Sequence, residues 1–123
     1  LAKVPGASKY FVGSIISYQT QSKSDLLSVP KNIIEKNSVV SKQVAEMMAQ
    51  NVRKKFNSSI GVATTGNAGP LKGDSDAEIG TVWIAISSDK RIISERFTFG
   101  KHRERVIGKA VNKALEMVYR EII

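Results

Sequence analysis

Apolar and polar positions alternate in several distinct rhythms along the chain. Tyr10 to Tyr18 carries Phe11, Val12, Ile15, Ile16 and Tyr18 and reads as a strand over Phe11–Tyr18, with Gly13 at a close packing point. Thr20 is a good N-cap for a helix over about Gln21–Leu27. Pro30 suits the start of a short helix through Ile33, Ile34 and Glu35, which Asn37-Ser38 breaks. Ser41 caps a longer helix in which Val44, Ala45, Met48, Val52 and Phe56 recur every third or fourth position. Its methionines read as core packing, and Asn57-Ser58-Ser59 ends it. Ile60–Thr64 is a short apolar run, read as a fully buried strand. Gly80–Ile86, with Val82, Trp83, Ile84 and Ile86, is the most strand-like segment. Ser87-Ser88-Asp89-Lys90 forms a turn, and Ile92–Phe99 returns as the partner strand. A last helix over about Arg103–Arg120 carries a broad apolar face of Val106, Ile107, Ala110, Val111, Ala114, Leu115 and Val118.

Strand, helices, strand, hairpin and helix in that order predict helices packed on a sheet, an α/β fold. The hairpin must be antiparallel, so the sheet is mixed or wholly antiparallel. At 123 residues and 41% hydrophobic, the chain fits one domain with a real core. No apolar run is long enough to cross a membrane, and Leu1 to Gly6 lacks the apolar core of a signal peptide. A chain without cysteine has no disulfide, thiol nucleophile or thiolate metal site, and a cytoplasmic location fits that.

The formal charge of +8 changes the picture only slightly. The basic residues are dispersed, interrupted by Glu and Asp, and not interleaved with aromatics. With a single histidine, no zinc-finger spacing exists. A phosphate-bearing small molecule satisfies such a charge as well as nucleic acid does. Thr64-Thr65-Gly66-Asn67-Ala68-Gly69-Pro70 supplies a place for one. Two threonines, two glycines and a proline stop the preceding strand and leave backbone N–H groups free to face a ligand. A plain tight turn is the other reading. The spacing is neither a Walker loop nor a dinucleotide fingerprint.

Several segments together resemble the C-terminal domain of the CinA family, the competence/damage-inducible proteins that include nicotinamide-nucleotide amidases. The matching segments are Val4-Pro5-Gly6-Ala7-Ser8, Phe11-Val12-Gly13, Tyr18 through Lys23, Leu26-Leu27-Ser28-Val29 and Val40-Ser41 leading to Met48-Ala49. Thr65-Gly66-Asn67-Ala68-Gly69-Pro70, Gly80-Thr81-Val82-Trp83 and the final helix with Arg103-Glu104 and Ala114-Leu115 complete the set. The likeness covers essentially the whole chain. It implies a three-layer αβα sandwich with a mixed β-sheet. The implied activity is hydrolysis of nicotinamide mononucleotide to nicotinate mononucleotide and ammonia, a step of the pyridine nucleotide cycle in NAD metabolism.

The chain departs from the family at its front. Relatives of this kind begin with a helix and a strand leading to Glu-Ser-Cys-Thr-Gly-Gly, whose serine is the proposed nucleophile. Residues 1–123 are therefore expected to be a CinA C-terminal-like domain lacking its N-terminal helix, first strand and serine motif, and inactive alone. Ile107 stands where many relatives carry a second arginine, and Asn67 replaces a commoner isoleucine.

Amide hydrolysis needs a nucleophile, a base, an oxyanion donor and a hold on the substrate. Lys23 is the candidate base: in the first turn of a helix a cation is disfavoured, which lowers its pKa. A surface lysine is the alternative from position alone. Tyr18, at the same strand end, either donates a hydrogen bond to the substrate, stacks on its pyridine ring, or packs in the core. Thr65 and Gly66 offer N–H and hydroxyl groups to a phosphate, carbonyl or oxyanion. Arg103, at the entrance of the last helix, suits a phosphate or carboxylate unless it is merely solvated. His102 reads as a capping or surface residue. Asp74, Asp76 and Glu78 read as a charged loop rather than a metal site, and no cofactor is called for. A non-catalytic nucleotide-binding or interaction module is the competing function. The expected partner is a small nucleotide, with neither nucleic acid nor membrane. Apolar Trp83 and the long helices point to a homo-oligomer. The resemblance allows a molybdopterin-binding-like domain ahead of this one.

Overall fold

The computed structural model describes all 123 residues. After a 3-10 turn at Ala7–Lys9 come α1 (Thr20–Leu27), α2 (Lys31–Asn37), α3 (Lys42–Phe56), β1 (Gly61–Gly66), β2 (Thr81–Ser87), β3 (Ile92–Thr98) and α4 (Arg103–Ile122). The strands form one sheet in the order β1-β2-β3. Both pairings are antiparallel, with Ala63 opposite Ala85 and Ile84 opposite Glu95.

The period-two alternation of β2 explains the layers. Ala85 joins Ala63 beneath α3, where Val44, Ala45, Met48 and Ala49 meet Leu27 and Val29. Val82, Ile84 and Ile86 point the other way, onto Val106, Ala114 and Met117 of α4. Helices thus cover both faces of the sheet, the three-layer α/β arrangement expected. The first interface is built from small residues, so helix and strand lie close. A Cβ on Gly61 would sit 2.2 Å from the carbonyl oxygen of Ala49. Trp83 is half-buried against the α3 core rather than standing out from the surface.

Four expectations need correction. Phe11–Tyr18 is not a strand of the sheet. Odd positions turn inward, with Ile15 against the α3 core and Gly13 against Phe56, while Val12, Ile16 and Tyr18 are exposed. The segment has strand-like alternation, but no neighbouring strand supplies a hydrogen-bonding ladder. Second, Thr20 is the first residue of α1 and not its cap; Gln19 holds the cap position with no side-chain bond. Third, β1 alternates buried and exposed residues and runs on through Gly66, because Thr64, Thr65 and Gly66 still pair with Ile84, Trp83 and Val82. Fourth, the apolar face of α4 is only partly covered: Ile107, Val111 and Leu115 are exposed, and Met117 does the packing instead.

Candidate functional site

Lys23 is the fourth residue of α1, a helix closed by Ser28 in the left-handed region and anchored by the buried Leu27. That anchoring turns Lys23 inward, and it is only 8% exposed. Its Nζ donates to the Ser17 carbonyl at 2.7 Å. None of the ion pairs includes it. Burial strips water from the ammonium with no carboxylate in return, which holds its pKa below the ordinary lysine range.

Tyr18, next to Ser17, is 77% exposed and therefore not a core residue. Its hydroxyl accepts a hydrogen bond from Arg103 Nη2 at 2.5 Å. Arg103 is the first residue of α4, where the helix end disfavours a cation. Nη1 answers this by donating to the Gly69 carbonyl at 2.6 Å, and Glu104 adds a negative charge in the same turn. His102 occupies the cap position without a side-chain bond.

Thr65 and Gly66 end β1 and lead into the loop over residues 67–80. The Thr65 side chain is buried, and its hydroxyl donates to the Val39 carbonyl at 2.9 Å. Its proton is thus committed to the scaffold, and it shares no side-chain bond with Lys23 or Arg103. Asn67 clamps the loop at its base: its N–H reaches Thr81 O, its carbonyl accepts from Gly80, and its side-chain amide donates to Ala77 O. Gly80 has φ +91°, and a Cβ there would lie 1.9 Å from the Gly100 carbonyl oxygen, so only glycine fits this crossing. Further out, Asp74 accepts from Thr20 Oγ1 at 2.8 Å and the Asp76 N–H donates to Ser38 Oγ at 3.3 Å. Glu78 pairs with Lys72. The Asp74 and Glu78 carboxylates therefore go to separate partners, and Asp76 is held through its backbone.

The structure joins Tyr18, Arg103 and Gly69 directly, and Lys23 through Ser17. Asn67, Ser17 and the Thr20–Asp74 link are additions the sequence reading missed. Asn67 reads from sequence as tolerated loop variation, whereas the structure buries it and gives it the clamp; no local signal marks Ser17 or the Thr20–Asp74 link. Two surface depressions lie elsewhere: one of about 300 Å³ beside Leu27, Asn51 and Lys54, another of about 410 Å³ beside Pro5 and Phe11. Neither holds a residue of this cluster. No helix is long and apolar enough to cross a membrane.

Comparison with known proteins agrees on one family. Residues 1–122 match the family described as the CinA C-terminal domain. A CinA-like protein of Flavobacterium psychrophilum is 54% identical over 123 residues, all of this chain and 29% of the relative. A putative competence-damage inducible protein of Oceanobacillus iheyensis is 38% identical over 120 residues, 97% of this chain and 28% of the relative. The chain thus spans less than a third of the length of these relatives. Among solved structures, a CinA superfamily protein of Escherichia coli superimposes with a TM-score of 0.91 at 27% identity, covering 96% of this chain and 69% of that one. The competence/damage-inducible protein of Agrobacterium tumefaciens gives 0.91 at 26%, covering 97% and 73%. The whole-chain family match and the 54% identical relative place this protein in the CinA C-terminal domain family.

Proposed function

We propose that this domain works, within a longer polypeptide, as a cytoplasmic nicotinamide-nucleotide amidase. It would convert nicotinamide mononucleotide and water to nicotinate mononucleotide and ammonia. The observation that carries this is Lys23: a buried lysine at a helix start, its basicity lowered, one hydrogen bond from the backbone beside Tyr18. A lowered pKa keeps more of the amine neutral, and only the neutral amine accepts a proton.

In this scheme a serine from residues ahead of Leu1 supplies the nucleophile. Its oxygen bonds to the carboxamide carbon while Lys23 takes its proton. The C–N bond then breaks, and the proton leaves with ammonia. Water hydrolyses the resulting ester and frees the serine. Gly66, exposed at the strand end, is the candidate to face the developing oxyanion or the phosphate, and the buried Thr65 beside it holds that strand end to the scaffold. Arg103, exposed and held by Gly69 and Tyr18, has guanidinium N–H groups to spare for the phosphate.

Ammonia release from nicotinamide mononucleotide tests the proposal with two polypeptides. The full-length protein should turn over, and the 123-residue chain alone should not. Turnover by the chain alone would defeat the serine scheme. Nucleotide binding by the full-length protein with no ammonia released would favour the non-catalytic binding module.

A further inference from the structure

We propose that Asp74 is a specificity-determining residue that receives the ribose hydroxyls of the nucleotide. The inference rests on the nucleotide reading above and assigns a role to a loop that reading leaves unused. Asp74 is tied into the cluster at two ends. Its Oδ2 accepts from Thr20 Oγ1 at 2.8 Å. Thr20 and Lys23 are three apart on α1, so they neighbour each other on one helix face. The same loop includes Gly69, whose carbonyl is held by Arg103, which also holds Tyr18.

Charge and valence then select the ligand group. The site is cationic through Arg103, in a chain with 19 Lys and Arg against 11 Asp and Glu. Glu78 is paired with Lys72, whereas no cation pairs with Asp74. Thr20 is its one side-chain donor. An ionised carboxylate has two oxygens and about four acceptor positions, so most of its capacity faces solvent. A phosphate would be repelled there, and Arg103 already serves it. A neutral group with two adjacent donors fits, and a vicinal diol is such a group. An acidic side chain receiving ribose hydroxyls is a recurrent solution in nucleotide sites.

Calorimetric titration of the full-length protein with nicotinate mononucleotide, which has no carboxamide to turn over, and its 2′,3′-dideoxy analogue tests this. The parent should prefer the diol by roughly tenfold or more, the scale of hydrogen bonds to a charged acceptor. Asp74→Ala should bring the preference to within about twofold while leaving the dideoxy analogue's affinity unchanged, since a general loop disturbance would weaken both ligands alike. Asp74→Asn retains an acceptor for Thr20 but loses the charge, and should also lose most of the preference. A preference kept in both variants, or none in the parent, overturns the proposal. Ammonia release from nicotinamide mononucleotide, measured in parallel, separates the two readings. Diol preference that Asp74→Ala abolishes, without ammonia release, sinks the amidase and keeps this role. Ammonia release with an unaltered preference does the reverse.

Discussion

An ammonium that has lost most of its water and gained one carbonyl changes how stability depends on pH. Lys23 has a folded pKa below its unfolded value. Between those two values the unfolded chain binds the extra proton, so raising the pH favours the folded state. Stability relative to Lys23→Met should therefore climb as pH rises through that window, and flatten above the ordinary lysine range near 10.5. Urea melts of both proteins from pH 7 upward check this; a difference that stays constant with pH would show that Lys23 is not desolvated. Thr65→Val removes the donor to the buried strand-end contact at Val39 O and should cost about 1–3 kcal/mol in the same assay. The helical setting of Lys23 was readable from Thr20 and the residues after it. Its burial was not, because that depends on Ser17 and on how α1 seats. Thr20 shows the same limit: its hydroxyl looked like a local cap, yet it serves Asp74, 54 positions away.

Elements whose signals are local came through. Ser41 Oγ accepts from the Val44 N–H, and Asn57 closes α3 in the left-handed region. Ser41→Ala should cost about 1 kcal/mol, read as a lowered urea midpoint. Phe11–Tyr18 failed as a strand because composition encodes the alternation but not the neighbour that would pair with it. In α4 the sequence showed seven apolar positions without saying which of them the sheet would reach. The structure divides them, burying Val106 and Ala114 but not Ile107, Val111 or Leu115, and it adds Met117, which was not among the seven. Met117, 1% exposed, lies under the helix, and Val111, 53% exposed, lies on its outer side. Met117→Ala should therefore cost about 2–5 kcal/mol, whereas Val111→Lys should stay within about 0.5 kcal/mol. Equal losses in denaturant titrations of the 123-residue chain would mean that α4 sits differently on the sheet.

Across the whole molecule, the layers bring three distant stretches of chain to one end of the sheet. α1 delivers Lys23, the β1–β2 connection delivers Gly69 and Asp74, and the start of α4 delivers Arg103. The α/β class and the glycine-rich strand end could be read in advance. The joining of Arg103 to Tyr18 could not, since it spans 85 positions and depends on how both α4 and the segment ending at Tyr18 are seated. If Arg103 grips the phosphate, Arg103→Ala in the full-length protein should chiefly raise KM, and more for nicotinamide mononucleotide than for a phosphate-free analogue. The most direct measurement is the kcat for ammonia release by full-length Lys23→Met, which keeps most of the side chain and removes the amine. If Lys23 takes the nucleophile's proton, kcat falls by roughly 10²–10⁴-fold with little change in KM. A kcat within about threefold of the parent, a barrier change of only ~0.7 kcal/mol, would remove Lys23 from the chemistry.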